Sequence, residues 1–119
     1  MKISSAHLRY LYAIYEISQK VPDVCSASVA NRIRVSKPSV TRMLNILMKQ
    51  QLVVKKLYGK IYLTDKGFLL ARKFDCKVRL LMERIPRMGL ELTKEEMYTA
   101  ACAMAATLIN QNLNLEWNQ

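Results

Sequence analysis

The stretch VSKPSVTRML, residues 35–44, places hydroxyls, two cations and a proline directly before an apolar helical pattern. Ser36 is a suitable N-cap, and Pro38 is tolerated in the first turn of a helix, where no backbone donor is needed. The spacing of a buried helical face is then followed by Val40, Met43, Leu44, Leu47 and Met48. The stretch predicts a helix with a polar, basic start, suited either to a solvated surface or to an anionic partner.

The elements around this helix follow the order of a winged helix-turn-helix. Residues 4–18 have apolar side chains near helical spacing after a serine start, and a short helix is predicted around Ser28–Arg32. After the quoted helix, LVVKKLYGKIYLT predicts two short strands, about Leu52–Lys56 and Lys60–Leu63, around a turn at Tyr58-Gly59. A short helix, a tight turn, a second helix and a basic hairpin form the plan of this DNA-binding fold.

Two further helices are predicted in the second half of the chain. The first covers residues 65–85 and ends before a proline, which cannot continue a helix. The second covers residues 92–109 and begins with Thr93 and Glu96, which have the spacing of a capping box. Residues 110–119 form a tail that is polar apart from three apolar side chains.

The basic charge is concentrated in the first half of the chain. The 119 residues carry a formal net charge of +10. Residues 1–64 contain eleven lysines and arginines against two acids, whereas residues 65–119 contain eight against seven. A basic surface is often only a solvated face, but this concentration beside the predicted fold favours double-stranded DNA as the partner.

The composition argues against several other classes of protein. Three scattered cysteines without a CxxC pair fit a reducing compartment better than a disulfide framework. No apolar run approaches the roughly 20 residues of a membrane span. No signal region is evident either, so a cytoplasmic protein without membrane contact is expected. With His7 as the only histidine and no motif of a known catalytic site, an enzyme is not expected.

The start of the second helix is predicted to lie in the major groove of DNA. Small hydroxyl residues let its backbone approach closely, and Lys37 or Arg42 can reach guanine O6/N7 or a phosphate. The hairpin would be the wing, with its lysines near phosphates and Tyr58 at its tip. The predicted DNA-binding residues are Arg34, Ser36, Lys37, Pro38, Ser39, Thr41, Arg42, Lys56, Tyr58 and Lys60.

The sequence resembles the iron- and manganese-dependent repressor family, that of the diphtheria toxin repressor and the manganese transport regulator. Four segments carry the resemblance: HLRYLYAIYEIS, SVANRIRVSKPSVTRMLNILMKQQLVV, GKIYLTDKGFLLA and EEMYTAACAMAATLI. It extends from about Ser5 to about Ile109, and its most specific parts are VSKPSV and the LT-x-x-G that follows the wing. The family's DNA-facing helix positions fall on Ser36, Pro38, Ser39, Thr41 and Arg42, while Arg34 stands in the turn where many members have glycine.

The resemblance implies a mainly α fold with two domains. A winged helix-turn-helix DNA-binding domain would cover residues 1–70, followed by a small helical dimerisation region over residues 71–119. The small side chains of AACAMAA allow close helix–helix approach, and the family places dimer contacts in this region. A homodimer on a palindromic operator is therefore expected.

In the family, a divalent metal between the two domains switches on DNA binding, but its ligands are largely missing here. The corresponding positions hold Arg9, Val78, Cys102, Ala105 and Ala106. Methyl groups cannot coordinate an ion, and a single thiol is too few ligands for a site. We therefore expect a regulator with no bound metal or other cofactor and without metal activation. The open alternatives are a metal-responsive repressor with a non-standard site and a winged-helix module for protein–protein assembly.

Overall fold

The computed structural model describes residues 3–117, with side chains through residue 111. It is mainly helical with one two-stranded antiparallel sheet, which confirms the predicted fold class. The elements are α1 (Ser5–Ser18), α2 (Ser26–Ile33), α3 (Lys37–Lys49), β1 (Val53–Lys55), β2 (Ile61–Leu63), α4 (Asp65–Arg84) and α5 (Lys94–Trp117). Short 3-10 turns occur at Leu57–Gly59 and Ile85–Met88. No helix in this described part is both long and apolar enough to cross a membrane.

The residue contacts divide the chain into two compact units. Arg9–Arg72 form one of them, here called the winged unit. The other, here called the helical unit, combines the N-terminal residues through Leu8 with the chain from Lys73 onward. The N-terminal residues before Arg9 therefore group with the helices of the second half, although they belong to the predicted DNA-binding domain.

The winged unit is built around the apolar face predicted for α3. Val40, Leu44 and Leu47 are fully buried there, as the helical spacing predicts. Their neighbours in this core, all at most 2% exposed, include Leu11, Ile14, Val24, Val29, Leu52 and Ile61. Burying each such side chain stabilises the fold by about 1.5–3 kcal/mol, so the position of α3 is fixed by its inner face.

The helical unit buries small side chains on one face of α5. Ala101, Cys102, Ala105, Ala106 and Ile109 are buried, together with Phe74, Val78 and Ile85. The amide of Asn110 pairs with the backbone of Ile3, accepting from its N–H at 2.9 Å and donating to its carbonyl at 2.8 Å. This side chain satisfies backbone groups that no strand partner serves.

Two helix boundaries differ from the sequence prediction. α2 begins at Ser26, two residues early, because Cys25 and Ser28 cap it; the Cys25 N–H donates to Ser28 Oγ at 3.2 Å. Cysteine is not among the usual N-cap residues, so the pattern does not reveal this start. α5 runs to Trp117 instead of ending at Ile109, since residues 110–117 contain neither glycine nor proline.

The capping box predicted at the start of α5 is confirmed. The Thr93 N–H donates to Glu96 Oε1 at 2.8 Å, and the Glu96 N–H donates to Thr93 Oγ1 at 3.1 Å. The hydrogen bond from the Thr93 backbone lowers the pKa of Glu96 below its ordinary value.

Candidate nucleic-acid interface

The first turn of α3 is held by a series of hydroxyl hydrogen bonds. Ser36 is the N-cap, and its Oγ accepts from the Ser39 N–H at 3.2 Å. The two hydroxyl oxygens lie 2.9 Å apart, and Arg42 Nη2 donates to Ser39 Oγ at 3.4 Å. Ser36 and Ser39 therefore act first within the protein, where they fix the helix start and orient the guanidinium of Arg42.

One face of α3 is exposed and carries groups that can contact a duplex. Its exposed residues include the predicted Lys37, Pro38, Thr41 and Arg42, and also Asn45 and Lys49, which sequence analysis did not select. Asn45 and Lys49 lie three and seven residues after Arg42, a spacing that could have identified both. Asparagine can bind adenine N6 and N7 together, and lysine can contact a phosphate, so these two residues extend the candidate interface.

The turn between α2 and α3 is closed by Arg34 in the left-handed conformation. Its φ is 57° and its ψ is 54°, and its N–H donates to the carbonyl of Ala30. The Val35 N–H donates to the same carbonyl at 3.0 Å. Arg34 adopts the backbone conformation that glycine favours, at a cost of about 1–2 kcal/mol. The two hydrogen bonds to the carbonyl of Ala30 nevertheless keep the turn closed. The departure from glycine adds an exposed cation next to the start of α3.

The hairpin after α3 pairs Val53 with Leu63 and Lys55 with Ile61. Lys56 is exposed, and its ammonium lies 5.2 Å from the centroid of the Tyr62 ring. Lys60 forms an ion pair with Asp23 at 3.3 Å, which ties the base of the wing to the loop before α2. Of the three wing lysines predicted to lie near phosphates, Lys55 and Lys56 thus have no carboxylate partner among the described residues, whereas Lys60 has one.

The LT-x-x-G segment connects the wing to the end of α3. Thr64 Oγ1 donates to the carbonyl of Gln51 at 2.6 Å and accepts from the Gly67 N–H at 3.0 Å. The Thr64 N–H donates to the carbonyl of Leu52 at 3.0 Å. A Cβ on Gly67 would lie 1.9 Å from that Leu52 oxygen, so only glycine fits. This contact, here called the Thr64–Gly67 clamp, fixes β2 and α4 against the end of α3.

The positive charge of α3 and of the α2–α3 turn is not paired with carboxylates in the described part of the chain. The only acids in the first 64 residues are Glu16 and Asp23. Glu16 pairs with Arg32 at 2.8 Å, and Asp23 pairs with Lys60. Within the described part of the chain, no carboxylate forms an ion pair with a cation of α3 or of the α2–α3 turn. A surface of this kind attracts polyanions.

Cys25 lies at the start of α2, exposed to solvent. Hydrogen bonds from the backbone and then the side chain of Ser28 lower the pKa of its thiol, and the charge of Lys37 adds to this effect. The thiolate is therefore favoured at a lower pH than for an ordinary cysteine.

Four of the five positions to which the resemblance assigns metal ligands are packed as core in the helical unit. Val78, Ala105 and Ala106 are buried and carry no donor atom, and Cys102 is 4% exposed among them. Arg9, in the winged unit, is exposed. Among the described residues, no cluster of three or more His, Cys, Asp or Glu side chains is placed to hold an ion. The residues present therefore do not fit the family's metal site.

Comparison with known proteins relates the winged unit to one family. The model of the iron dependent repressor family, N-terminal DNA binding domain, matches residues 2–61, which is half of the chain. A comparison with curated proteins gave no match.

Solved structures with a similar fold include the regulators SloR and MtsR and also ZitR. The manganese regulator SloR has 27% sequence identity and a TM-score of 0.72, over 91% of this chain and 53% of SloR. The metal-dependent transcriptional regulator MtsR has 29% identity and a TM-score of 0.70, over 87% of this chain and 49% of MtsR. ZitR of Lactococcus lactis, solved in complex with DNA, has 18% identity and a TM-score of 0.62, over 91% of this chain and 75% of ZitR, which shows a shared fold alone. The chain spans about half the length of SloR and MtsR.

Proposed function

Since the chain belongs to the iron dependent repressor family, we propose that it is a DNA-binding transcriptional regulator, acting in the cytoplasm as a homodimer on a palindromic operator. The observation that carries the proposal is the exposed face of α3, with its fixed helix start and its cations. In this proposal Arg42 contacts a guanine and Asn45 an adenine in the major groove. The preformed helix start reduces the ordering cost of binding.

Sequence-independent affinity would come from cations around this helix. The face of α3 that carries Arg42 and Asn45 is here called the reading face. Exposed cations also occur at Arg34, Lys37 and Lys49, in the turn and on α3, and at Lys55 and Lys56 on the wing. Each cation that neutralises a phosphate releases condensed counterions, which makes binding strongly dependent on salt. Lys60 contributes less because Asp23 already pairs with it.

The proposed homodimer would use the helical unit. Among the described residues this unit exposes five large apolar side chains: Leu80, Met88, Leu90, Met104 and Leu108. A second copy covering this surface in an isologous contact would remove it from water. Two copies of α3 would then lie about one DNA turn apart, roughly 34 Å, and would read two inverted half-sites.

The proposed regulator works without the metal activation of its family. Only Cys102 offers a donor atom at the assigned ligand positions of the helical unit, and it is buried among alanines. Binding an ion such as Mn²⁺ or Fe²⁺ needs several deprotonated ligands at once, which valine and alanine cannot supply. The occupancy of the operator would then be set by the concentration of the protein and not by that of an ion.

The test is the affinity for a selected duplex as a function of salt. Duplexes bound by the protein are first enriched from a random library to obtain a consensus sequence. The affinity for a duplex of this consensus, and for a scrambled duplex, is then measured by fluorescence anisotropy. We expect a palindromic consensus, and log K falling with log salt by about 0.9 per neutralised phosphate. Light scattering at the same concentrations should show a dimer. No enrichment, or weak binding without salt dependence, would instead favour a winged-helix module for protein–protein assembly.

A further inference from the structure

The tip of the wing carries the most exposed large apolar side chains of the described residues. Tyr58 is 94% exposed and Leu57 is 81% exposed, and the two are neighbours. Single exposed apolar residues are common on protein surfaces, but an adjacent pair this open at the end of a hairpin is a candidate contact.

The tip is held in one conformation in spite of this exposure. The Lys56 N–H donates to the carbonyl of Lys60 at 2.8 Å, and the Gly59 N–H donates to the carbonyl of Lys56 at 3.1 Å. Tyr58 has a φ of 63° and Gly59 a φ of 73°, so both lie in the left-handed region. A bulky side chain rarely adopts this region, and such strain persists only where the surroundings impose it. The strained Tyr58 is therefore displayed at a fixed place.

The base of the wing is anchored at several points. The Ile61 N–H donates to the carbonyl of Val24 at 2.9 Å, and Lys60 pairs with Asp23. The Thr64–Gly67 clamp fixes the other strand end to α3. Since these contacts hold the base, the tip keeps a defined position relative to the reading face of α3 within the winged unit.

The charge around the tip selects the kind of partner. Lys55, Lys56 and Lys60 flank the two apolar side chains, and no acidic residue occurs between Asp23 and Asp65. The partner must therefore be anionic at its edge and must accept apolar groups between the charges. The minor groove of duplex DNA has this chemistry, since phosphates line its two edges and base steps lie between them.

We infer that Leu57 and Tyr58 enter the minor groove beside the site of α3 and partly unstack a base step there. The inference rests on the proposed function, because α3 must first place the wing on the duplex. Pyrimidine–purine steps unstack most easily, so the protein selects them at positions flanking the bases that α3 contacts. The specificity at these positions comes from deformation of the duplex and requires no hydrogen bond to a base.

The test uses a double variant that changes only the tip. Leu57→Ser and Tyr58→Asn remove the apolar groups, and asparagine tolerates the left-handed backbone of position 58 better than tyrosine. Lys55→Ala is the matched wing control. Two probes share the selected operator and differ in one flanking step, either TA or GC, with a fluorescent adenine analogue at the TA step that brightens on unstacking.

We expect the parent protein to prefer the TA probe by on the order of tenfold and to brighten the analogue on binding. The double variant should bind both probes alike and leave the analogue dark, whereas Lys55→Ala should weaken both probes equally. Tip variants that keep the preference and the brightening would overturn the inference. Loss of a dimer in light scattering of the tip variants would overturn it too, in favour of a contact between protein chains.

The failure of this inference is distinguishable from failure of the proposed function. Arg42→Ala should weaken binding to both probes. If Arg42→Ala leaves the affinity unchanged, the assigned reading face is wrong. If Arg42→Ala weakens binding and the tip variants do not change the preference, α3 reads the duplex and the tip does not.

Discussion

The winged unit and the helical unit differ in how much of their family's chemistry they carry. In the winged unit, the helix cap Ser36, the clamp glycine Gly67 and the exposed Arg42 lie at positions that carry the resemblance. In the helical unit, the positions assigned to metal ligands hold valine and alanine side chains buried in a core. The residues proposed to contact a duplex therefore lie in the winged unit, whereas all the assigned metal-ligand positions except Arg9 lie in the helical unit.

The largest effect is expected from Gly67→Ala, which breaks the winged unit at its clamp. The added Cβ would lie 1.9 Å from the carbonyl oxygen of Leu52, and backbone atoms cannot move aside cheaply. We expect a loss of at least about 3 kcal/mol in the free energy of unfolding, measured by urea denaturation. Gly89→Ala in the helical unit is the control. It meets no atom within 4 Å and should cost only about 1 kcal/mol, from its φ of 78°. Equal losses would show that the clamp is not close-packed.

Arg42→Ala removes from the winged unit the guanidinium that is proposed to contact a guanine. Loss of a bidentate guanine contact is expected to weaken specific binding by about 1–3 kcal/mol and to relax the preference at one base pair. Lys94→Ala, an exposed cation of the helical unit, serves as the control and should leave affinity unchanged. Anisotropy titrations of both variants on operator and scrambled duplexes provide the measurement. A deficit that is the same on both duplexes would make Arg42 a phosphate contact.

Arg34→Gly separates stability from binding within the winged unit. Glycine relieves the left-handed strain, so the free energy of unfolding should rise by about 1 kcal/mol. The same change removes an exposed cation, and the slope of log K against log salt should fall by about 0.9. Arg34→Lys keeps both the strain and the charge and should leave both quantities near their parent values. An unchanged slope in Arg34→Gly would place this residue outside the contact surface.

A smaller effect is expected for the rates at which iodoacetamide alkylates the cysteines of the two units. Because Ser28 lowers the pKa of the Cys25 thiol, its thiolate forms at a lower pH than that of an ordinary cysteine, and its alkylation slows as the pH falls through that pKa. The same shift stabilises the fold at high pH, a contribution lost as the pH falls through the folded pKa. Iodoacetamide labelling followed by peptide mass spectrometry should modify Cys25 first and the buried Cys102 last. Ser28→Ala should slow Cys25 severalfold; an unchanged rate would assign the reactivity to exposure alone.

No effect at all is expected from metal. Binding to the selected duplex should be the same in EDTA as in added Mn²⁺, because the assigned ligand positions offer one donor atom in the helical unit. Calorimetric titration with Mn²⁺ should show no stoichiometric binding after dialysis. A metal-dependent increase in affinity would support the alternative of a non-standard site, and Cys102→Ser would then test its one donor.

Periodicity and turn residues were sufficient to predict the elements of the fold. The spacing of Val40, Leu44 and Leu47 predicted the buried face of α3, and the T-x-x-E pattern predicted the cap of α5. The early start of α2 was missed because its cap uses Cys25. The late end of α5 was missed because a helix stop cannot be read from polarity when neither glycine nor proline is present.

The site was predicted as a list of residues, but not as a set of contacts. The pairing of Lys60 with Asp23 and of Thr64 with Gln51 joins residues far apart in sequence, which periodicity cannot relate. The orientation of Arg42 by Ser39 was within reach, since the two residues lie one helical turn apart. Asn45 and Lys49 were not predicted because they lie beyond the hydroxyl-rich start of α3 that marks the candidate interface, although their spacing places them on the exposed face of Arg42.

The contact between Gly67 and Leu52 also limits which residue types position 67 can accept. Any side chain at position 67 meets backbone, so every substitution there lowers the stability of the fold whatever else it changes. A methyl group at Ala105 or Ala106 meets no such barrier, because it fills a core that accepts it. The steric demand at position 67 is therefore independent of any chemistry at positions 105 and 106, so this fold can be kept with or without a set of ion ligands.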